Sequence, residues 1–323
     1  MIVVLLATTV VSLGAQEIEV DKHEERKDKR LFKRDIRKEK REEKRSLEGE
    51  IQISGAFALY PMVSKWAAEF TKIYPKVKID ISAGGSGKGI TDALSEMVDI
   101  GMISRELTQG ELELGAVVVP VVRDAVVLVA NAKNPDIIDL MTKGVSIREA
   151  RTLWSGSGKM TWGQLLGTES TKAVHLYTRA DASGASETIA HLVGTYAEKL
   201  AGTAVYSDPG VASVVQRDKL ALGYTSLAYA YNLRTGKFHR DIFVVPLDLN
   251  DDGVISLEES FYMDIAKFRK AVIEGKYPTP PARFLYFVIS KNNKSPEVEA
   301  FVDFILTRGQ QYAPQSGYIP LDN

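Results

Sequence analysis

The sequence predicts an α/β fold, in which strands alternate with helices from about Ile51 onwards. Long β-branched runs such as "AVVVPVVRDAVVLVA", residues 116–130, are typical of buried strands. Amphipathic runs such as "YPMVSKWAAEFTKIY", residues 60–74, repeat apolar side chains at helical spacing. Because the two kinds of run alternate, we expect mostly parallel sheets, and 323 residues suffice for two domains or one two-lobed unit.

The other elements have signals of the same two kinds. The first helix lies between two strand-like runs, "IQIS" and "KVKIDIS". Further strands are predicted at 173–178, 220–230, 241–247 and 283–290, and further helices at 185–201, 256–275 and 295–307.

Two segments precede this globular part. Residues 1–15 contain a short apolar run that ends in small residues, as in a signal peptide, although no Lys or Arg precedes the run. The run is shorter than the roughly 20 residues that a membrane-spanning helix needs. Residues 16–49 carry charges of both signs and predict a spacer that is disordered or transiently helical, with a partner-binding helix as the alternative. We therefore expect an exported protein, periplasmic or extracellular.

Composition excludes several classes of protein. The formal net charge of −1 gives no field that would attract nucleic acid. The chain has no cysteine, which excludes disulfides, zinc-thiolate sites, thiol catalysis and a lipid anchor on cysteine. We expect a monomer that binds no nucleic acid.

The segment "SAGGSGKGI", residues 82–90, invites comparison with the phosphate loop of nucleotide-binding proteins. That loop needs a glycine five residues before its Gly-Lys pair and a Ser or Thr after it. Here Ser82 and Gly89 stand at those places, so a nucleotide triphosphate site is not supported.

Three strand-to-helix junctions share a small-residue chemistry: "ISGAFALYP", "SAGGSGKGI" and "TRADASGASET". The start of a helix offers unpaired N–H groups and the positive end of a dipole, and small residues let an anion approach them. Ser86 and Ser183 can add hydroxyl donors, and Arg179 can add a bidentate charge. One such junction is an ordinary helix cap, whereas three with an arginine indicate a dehydrated oxyanion site.

From about Ile51 to its C-terminus, the sequence resembles the periplasmic phosphate-binding proteins of phosphate ABC transporters, a type II solute-binding family. The three junctions match in order; the second continues into "IGMISREL" and the third resembles an Arg-x-x-x-Ser-Gly-Thr anion loop. The strand "LALGYTSLAYAY" and the closing segment "FVDFILTRGQQYAPQSGYIPL" match as well.

This resemblance implies two lobes joined by a hinge, with one anion, most simply phosphate, in the cleft between them. Lobe 1 would comprise residues 50–123 and 284–323, and lobe 2 residues 124–283. The residues carried over as anion ligands are Ala56, Phe57, Ser86, Gly87, Ser104, Arg105, Arg179, Ser183 and Gly184.

The sequence departs from the family at several of these places. Relatives place Ser or Thr in the first loop, where this chain has Ala56, Phe57 and Ala58, and Thr where it has Ala185. Each lost bond to a charged group costs roughly 1.5–3 kcal/mol. Some relatives also use an Asp to accept the proton of hydrogen phosphate, and "MISRE" offers Arg105 and Glu106 instead.

Three classes of function follow. The first is a solute-binding protein that captures an oxyanion for an ABC transporter or sensor by lobe closure, without chemistry. The second is an enzyme such as a phosphatase, which needs a nucleophile beside a base or converging metal carboxylates; the anion loops show neither. The third is a repurposed domain with a surface or assembly role and weak or no phosphate binding.

A separate motif, "DLNDDGVISLEE" at residues 248–259, matches the twelve-residue calcium loop of EF-hands. The sequence then predicts one structural calcium site that pairs with no second loop, with an acidic turn as the alternative. The predicted ligands are Asp248, Asn250, Asp252, the carbonyl of Val254, Ser256 and Glu259.

Overall fold

The computed structural model describes residues 26, 27, 30, 47–156 and 159–321. The predicted signal peptide, 1–15, and most of the predicted spacer lie outside the described residues. The predicted spacer, 16–49, extends two residues too far. Glu48 and Gly49 already belong to the first strand and pair with Lys76 and Val77 of the second. Backbone pairing at a sheet edge tolerates such charged side chains.

The elements have the following bounds. The strands are β1 (Glu48–Gly55), β2 (Lys76–Ala83), β3 (Ile100–Ile103), β4 (Ala116–Asn131), β5 (Val145–Ser146), β6 (His175–Arg179), β7 (Thr203–Val205), β8 (Ala221–Ser226), β9 (Ile242–Val245), β10 (Leu247–Asp248) and β11 (Ala282–Ser290). The helices are α1 (Tyr60–Thr71), α2 (Ser86–Leu94), α3 (Gln109–Glu113), α4 (Ile137–Lys143), α5 (Ile147–Trp154), α6 (Trp162–Leu166), α7 (Gly184–Val193), α8 (Asp208–Arg217), α9 (Leu227–Ala230), α10 (Ile265–Ile273) and α11 (Pro296–Leu306).

One sheet runs through the protein in the order β2-β1-β3-β11-β4-β8-β6-β7, with β9 also paired to β4. β1 pairs in parallel with β2 and β3, and β6 pairs in parallel with β7 and β8. The pairs that β4 and β11 make are antiparallel, so the sheet is mixed rather than mostly parallel. The antiparallel pairs are those of the two strands that connect its halves.

β4 explains how two lobes form from one sheet. Its first part, up to Ala125, pairs with β11, whereas its second part, from Val126, pairs with β8 and β9. β11 begins at Ala282, so the chain passes between the halves at 125/126 and again at 281/282. The predicted lobe boundaries, 123/124 and 283/284, lie inside these two strands.

Each half has its own hydrophobic core. In lobe 1, Trp66 and Phe70 of α1 pack with Phe287 and Phe301 from β11 and α11. In lobe 2, the core is built on the second part of β4 and includes Trp154, Tyr224 and Phe268. Burying each large apolar side chain is worth about 1.5–3 kcal/mol, so each lobe is held together independently of the cleft.

The predicted helix at 256–275 is wrong in its first half. Residues 257–264 form turns, and α10 begins only at Ile265, where the Asp264 side chain accepts the Ala266 N–H as a cap. Phe261 and Tyr262 of the turns are buried in the lobe 2 core, and this packing overrides the helical pattern. In the described part of the chain, helices long and apolar enough to cross a membrane are absent.

Candidate functional site

The three small-residue junctions meet where the lobes touch. The Gly87 N–H of α2, in lobe 1, donates to the carbonyl of Ala182 in lobe 2 at 3.2 Å. The Tyr229 hydroxyl of lobe 2 donates to the carbonyl of Phe57 in lobe 1 at 2.8 Å. We call this region the interlobe cradle and define it by Ala56, Phe57, Ser86, Gly87, Ser104, Arg179, Ser183 and Gly184.

Gly184 shows how tightly the lobes meet in the cradle. A Cβ added to Gly184 would lie 2.2 Å from the carbonyl oxygen of Ser104 and 2.4 Å from its hydroxyl. Any side chain at position 184 would therefore push Ser104 of lobe 1 away from α7 of lobe 2. Glycine is needed here for the close approach of the two backbones.

Amide N–H groups are the main donors of the cradle. α1 and α2 lack side-chain caps at their N-termini. Among the described residues, the N–H groups of Phe57, Ala58, Gly184 and Ala185 have no hydrogen-bond partner. Unpartnered amides at helix starts, with the positive end of the helix dipole behind them, favour an anion.

The cradle hydroxyls come in two pairs, one from each lobe. In lobe 1, Ser86 Oγ lies 3.1 Å from Ser104 Oγ and accepts the Ser104 N–H. In lobe 2, Ser183 Oγ caps α7 by accepting the Ser186 N–H at 3.1 Å. Ser183 Oγ also lies 3.1 Å from Ser186 Oγ, so one hydroxyl of each pair donates to the other and at most one proton of each pair is available to a ligand.

Arg179 is the buried cation of the cradle, at the end of β6. Its Nε and Nη2 bind the carboxylate of Asp181 at 2.8 and 2.5 Å, and its Nη1 binds Asp208 at 2.6 Å. Its guanidinium carbon lies 5.9 Å from the centre of the Phe57 ring, across the cleft. These bonds use three of the five N–H groups of a guanidinium and leave two for a ligand.

The two aspartates hold Arg179 in place and keep it charged. Burial alone would lower the pKa of Arg179, but Asp208 and Asp181 raise that pKa above its ordinary value. Burial alone would raise the pKa of Asp208, but the charge of Arg179 and the Ser226 amide hold it below its ordinary value. Sequence inspection missed Asp208 because it lies at the start of a different helix, α8, 29 residues from Arg179.

The other predicted arginine, Arg105, binds elsewhere. Both terminal nitrogens of its guanidinium bind the carboxylate of Glu111, at 2.9 and 2.8 Å. Glu111 also accepts the Thr108 N–H in the capping box of α3. Bonding to Arg105 lowers the pKa of Glu111 to about 2. Glu111 and the Glu106 carbonyl thus already accept N–H groups of Arg105, and a direct bond from Arg105 to the anion stays a prediction.

A buried arginine that the sequence did not single out, Arg283, lies behind the cradle on β11. It donates to the carbonyl of Ser104 in lobe 1 at 3.1 Å and to Thr188 and Ser226 in lobe 2 at 3.3 and 2.9 Å. It also binds Asp124 of β4 at 3.1 Å. Burial raises the pKa of Asp124 above its ordinary value. Arg283 thus connects both lobes to the two hinge strands.

The hydroxyl missing at Ala185 is not replaced by its neighbour. Ser186 Oγ lies 3.0 Å from the hydroxyl of Tyr224, and that hydroxyl lies 2.7 Å from Thr178 Oγ1. Successive residues of a helix point about 100° apart, so Ser186 faces the lobe 2 interior rather than the cleft. The first junction likewise offers backbone donors only, at Ala56, Phe57 and Ala58.

The acidic loop, Asp248–Glu259, lies in lobe 2 apart from the cradle, where β10 pairs with β5. Its amides donate to its own carboxylates: Gly253 to Asp248 at 2.9 Å, Val254 to Asp252 at 2.9 Å, and Leu249 to Glu259 at 2.8 Å. Gly253 has a φ of +81°, as the sharp turn at place 6 requires. Within the described ranges, however, three or more His, Cys, Asp or Glu side chains close enough to hold a metal ion do not occur.

Comparison with known proteins gives the same picture. The chain is 26% identical over 285 residues to the protein SphX of Synechocystis, covering 84% of this chain and 78% of SphX. It is 27% identical over 303 residues to the phosphate-binding protein PstS of Pseudomonas aeruginosa, covering 85% and 84%.

A solved structure from Clostridium perfringens is similar over nearly the same part of the chain. That protein is assigned as a phosphate ABC transporter substrate-binding protein and was crystallised with bound phosphate. It superposes with a TM-score of 0.69 at 25% identity, covering 85% of this chain and 100% of its own. The predicted α/β fold with two lobes and a cleft between them is therefore confirmed.

The family model described as "PBP superfamily domain" matches residues 40–308. This match covers most of the chain, including most of both lobes, the hinge strands and every residue of the cradle. The chain therefore belongs to the PBP superfamily of solute-binding proteins, and the resemblance to phosphate-binding proteins of ABC transporters is confirmed.

Proposed function

We propose that this protein binds a tetrahedral oxyanion, phosphate first, in the interlobe cradle and delivers it to the membrane components of an ABC transporter. The observation that supports this most is the meeting of three helix starts and one buried arginine at the contact between the lobes. An anion held there would be bonded by both lobes at once, so binding and closure would be one event.

The relatives support phosphate as the first candidate. PstS of P. aeruginosa is named as a phosphate-binding protein, and the C. perfringens structure contains bound phosphate. Because such receptors act outside the cytoplasm, we propose that this chain is exported too, in agreement with the signal-like segment at 1–15.

The proposed function is binding without chemistry. The hydroxyl partners of Ser86 and Ser183 are other serine hydroxyls, of Ser104 and Ser186, rather than a histidine or carboxylate. A serine without a base in hydrogen-bond reach is a poor nucleophile. We expect no release of p-nitrophenol from p-nitrophenyl phosphate, and turnover that is lost in Arg179→Ala would favour the enzyme alternative.

Calorimetric titration with phosphate, arsenate and sulfate tests the proposal. We expect phosphate and arsenate to bind at one site per chain, and sulfate to compete more than it does in relatives with a proton-accepting Asp. Complete exclusion of sulfate would instead point to Asp181, whose Oδ2 lies 3.0 Å from the place of a Gly85 Cβ at the start of α2.

The repurposed alternative keeps one specific observation in its favour. Hydroxyls are missing at Ala56, Ala58 and Ala185, and Ser186 faces Tyr224 instead of the cleft. If none of the three oxyanions gives heat at millimolar concentration, a non-transport role with the same fold becomes the better account.

We also propose a single structural calcium site in the acidic loop. Its first and last ligands, Asp248 and Glu259, are buried, and oxygen-bearing side chains occupy places 1, 3, 5, 9 and 12. Calcium would draw together carboxylates that now accept bonds from the loop's own amides, which favours a modest affinity. The carboxylate, amide, hydroxyl and carbonyl oxygens of the loop are the ligands that calcium prefers.

A further inference from the structure

A second concave site lies at the hinge, beside the cradle. This hinge pocket has a volume of about 460 Å³, within the usual range for small-molecule sites. Lobe 1 contributes residues 104–108, lobe 2 contributes Glu187, Thr188 and His191, and the hinge contributes residues around Ala282 and Arg283. The pocket is thus formed by both lobes and by the strand that joins them.

Aromatic side chains form one wall of the hinge pocket. Phe284 is 43% exposed, and its ring centre lies 6.2 Å from that of Tyr286 on the same strand. The guanidinium of Arg123 already lies 5.6 Å from the centre of the Phe284 ring. Exposed aromatic faces of this kind attract cations through the negative potential above the ring.

The charges of the pocket leave an excess of carboxylates. Its two arginines each bind a carboxylate that does not line it: Arg105 binds Glu111, and Arg283 binds Asp124. Its own two carboxylates, Glu106 on lobe 1 and Glu187 on lobe 2, form no hydrogen bond or ion pair with other described residues. Arg105 interacts electrostatically with Glu187 but forms no hydrogen bond with it.

We propose that the hinge pocket binds a small organic cation, an amidinium, guanidinium or amine with an apolar body. The cationic group would pair with Glu187 and Glu106, and the apolar body would lie against Phe284 and Tyr286. Charge-assisted bonds and contact with aromatic faces both favour this class over a neutral or anionic molecule of the same shape.

The site would also communicate with the cradle. Because both lobes line the pocket, its shape depends on how the lobes are arranged, and a ligand that prefers the arrangement in which they touch shifts the protein towards it. Organic cation and oxyanion should therefore strengthen each other's binding by the same factor. This coupling rests on the proposed function, whereas binding of the cation itself does not.

Three probes of nearly equal shape test the proposal: benzamidine as its cation, neutral benzamide and anionic benzoate. Each is titrated by calorimetry into the full chain at pH 8, without oxyanion. We expect benzamidine to bind about tenfold or more tightly than benzamide, the value of one charge-assisted bond, and benzoate to bind least. Equal binding of the three, tightest binding of benzoate, or no binding of benzamidine would each overturn the proposal.

Variants then locate the site. Glu187→Gln and Glu106→Gln should each weaken benzamidine binding about tenfold and leave benzamide unchanged. Glu198→Gln, an exposed carboxylate of lobe 2 outside the pocket, is the matched control and should change neither. Unchanged benzamidine binding in Glu187→Gln and Glu106→Gln, with melting temperatures equal to wild type, would place the cation elsewhere and refute the assignment.

Discussion

The interlobe cradle and the acidic loop use the backbone amide in opposite ways. In the cradle, the N–H groups of Phe57 and Gly184 have no partner among the described residues, so an anion gains bonds without breaking others. In the acidic loop, the N–H groups of Gly253 and Leu249 already donate to the carboxylates that calcium would need. The first site is preorganised for its ligand, whereas the second is satisfied without one.

This difference sets the expected strength of each site. Preorganised donors lose little conformational freedom on binding, and this saves much of the cost of association. A loop that must exchange its own hydrogen bonds for metal bonds gains only the difference between the two. We therefore expect a tight oxyanion site and a weak calcium site in one chain.

The largest effect should come from Arg179→Ala. It removes the two guanidinium N–H groups that the aspartates leave unused, each bond to a charged group being worth about 1.5–3 kcal/mol, so phosphate affinity should fall about 100-fold or more. Titration calorimetry measures this change. Because the variant also leaves Asp181 and Asp208 buried without their cation, its folding must be checked by circular dichroism.

Arg179→Lys separates loss of binding from loss of folding. Lysine keeps the positive charge between the two aspartates but cannot form the forked bonds of a guanidinium. We expect a folded protein with clearly weakened phosphate binding. Wild-type affinity in Arg179→Lys would mean that the fork does not contact the anion.

Gly184→Ala should have the next largest effect, because it prevents closure of the lobes rather than removing a charge. The new Cβ would lie 2.2 Å from the Ser104 carbonyl across the cleft, so the lobes could not meet. Phosphate affinity should fall about tenfold or more by calorimetry, since an anion bonded by one lobe loses half of its donors. Gly110→Ala is the matched control, because a Cβ there meets nothing within 4 Å and binding should be unchanged.

Calcium should have a smaller effect, visible as a change in melting temperature. With a dissociation constant near 10⁻³ M, 10 mM calcium should raise the melting temperature by about 3 °C by mass action on the folded state. Glu259→Gln should abolish the increase, whereas the neighbouring exposed Glu258→Gln should keep it. No increase in wild type, with no metal detected in the protein, would leave the loop as an acidic turn.

Arg105→Ala should have the smallest effect, and on stability rather than on phosphate binding. The pKa of Glu111 is depressed from 4.5 to about 2, so the pair stabilises the fold above pH 4.5 and loses that contribution as pH falls through 2. Because the pair is partly exposed, the loss at pH 7 should be about 1 kcal/mol in urea unfolding. A large loss of phosphate affinity would contradict the position of Arg105 outside the cradle.

Local patterns predicted much of the fold. The apolar spacing of 60–74 predicted α1, and the long β-branched run at 116–130 predicted the strand β4; the structure has both elements. The helix expected at 256–275 failed at Phe261 and Tyr262, where packing into the lobe 2 core overrides helical spacing. The antiparallel pairs of β4 also could not be read from the chain, since strand direction depends on which distant segments pair.

The cradle was predictable where its chemistry is local and unpredictable where it is not. Ser86, Ser183 and Arg179 lie in recognisable junctions, and the structure brings all three to the contact between the lobes. The partner of Arg179 on α8, Asp208, and the hinge residue Arg283 are far away in sequence, and no local motif marks either of them. Arg105 had the right motif, but only the fold shows that Glu111 binds it.

A crystal structure with arsenate is the most direct test of the proposed oxyanion site. Arsenate is a tetrahedral phosphate analogue, and the anomalous scattering of arsenic locates it without reference to the protein. We predict one peak in the interlobe cradle, within hydrogen-bond reach of Arg179, Ser86 and the N-terminus of α7. A peak only in the hinge pocket or on the surface, or a cradle without arsenic at saturating arsenate, would contradict it.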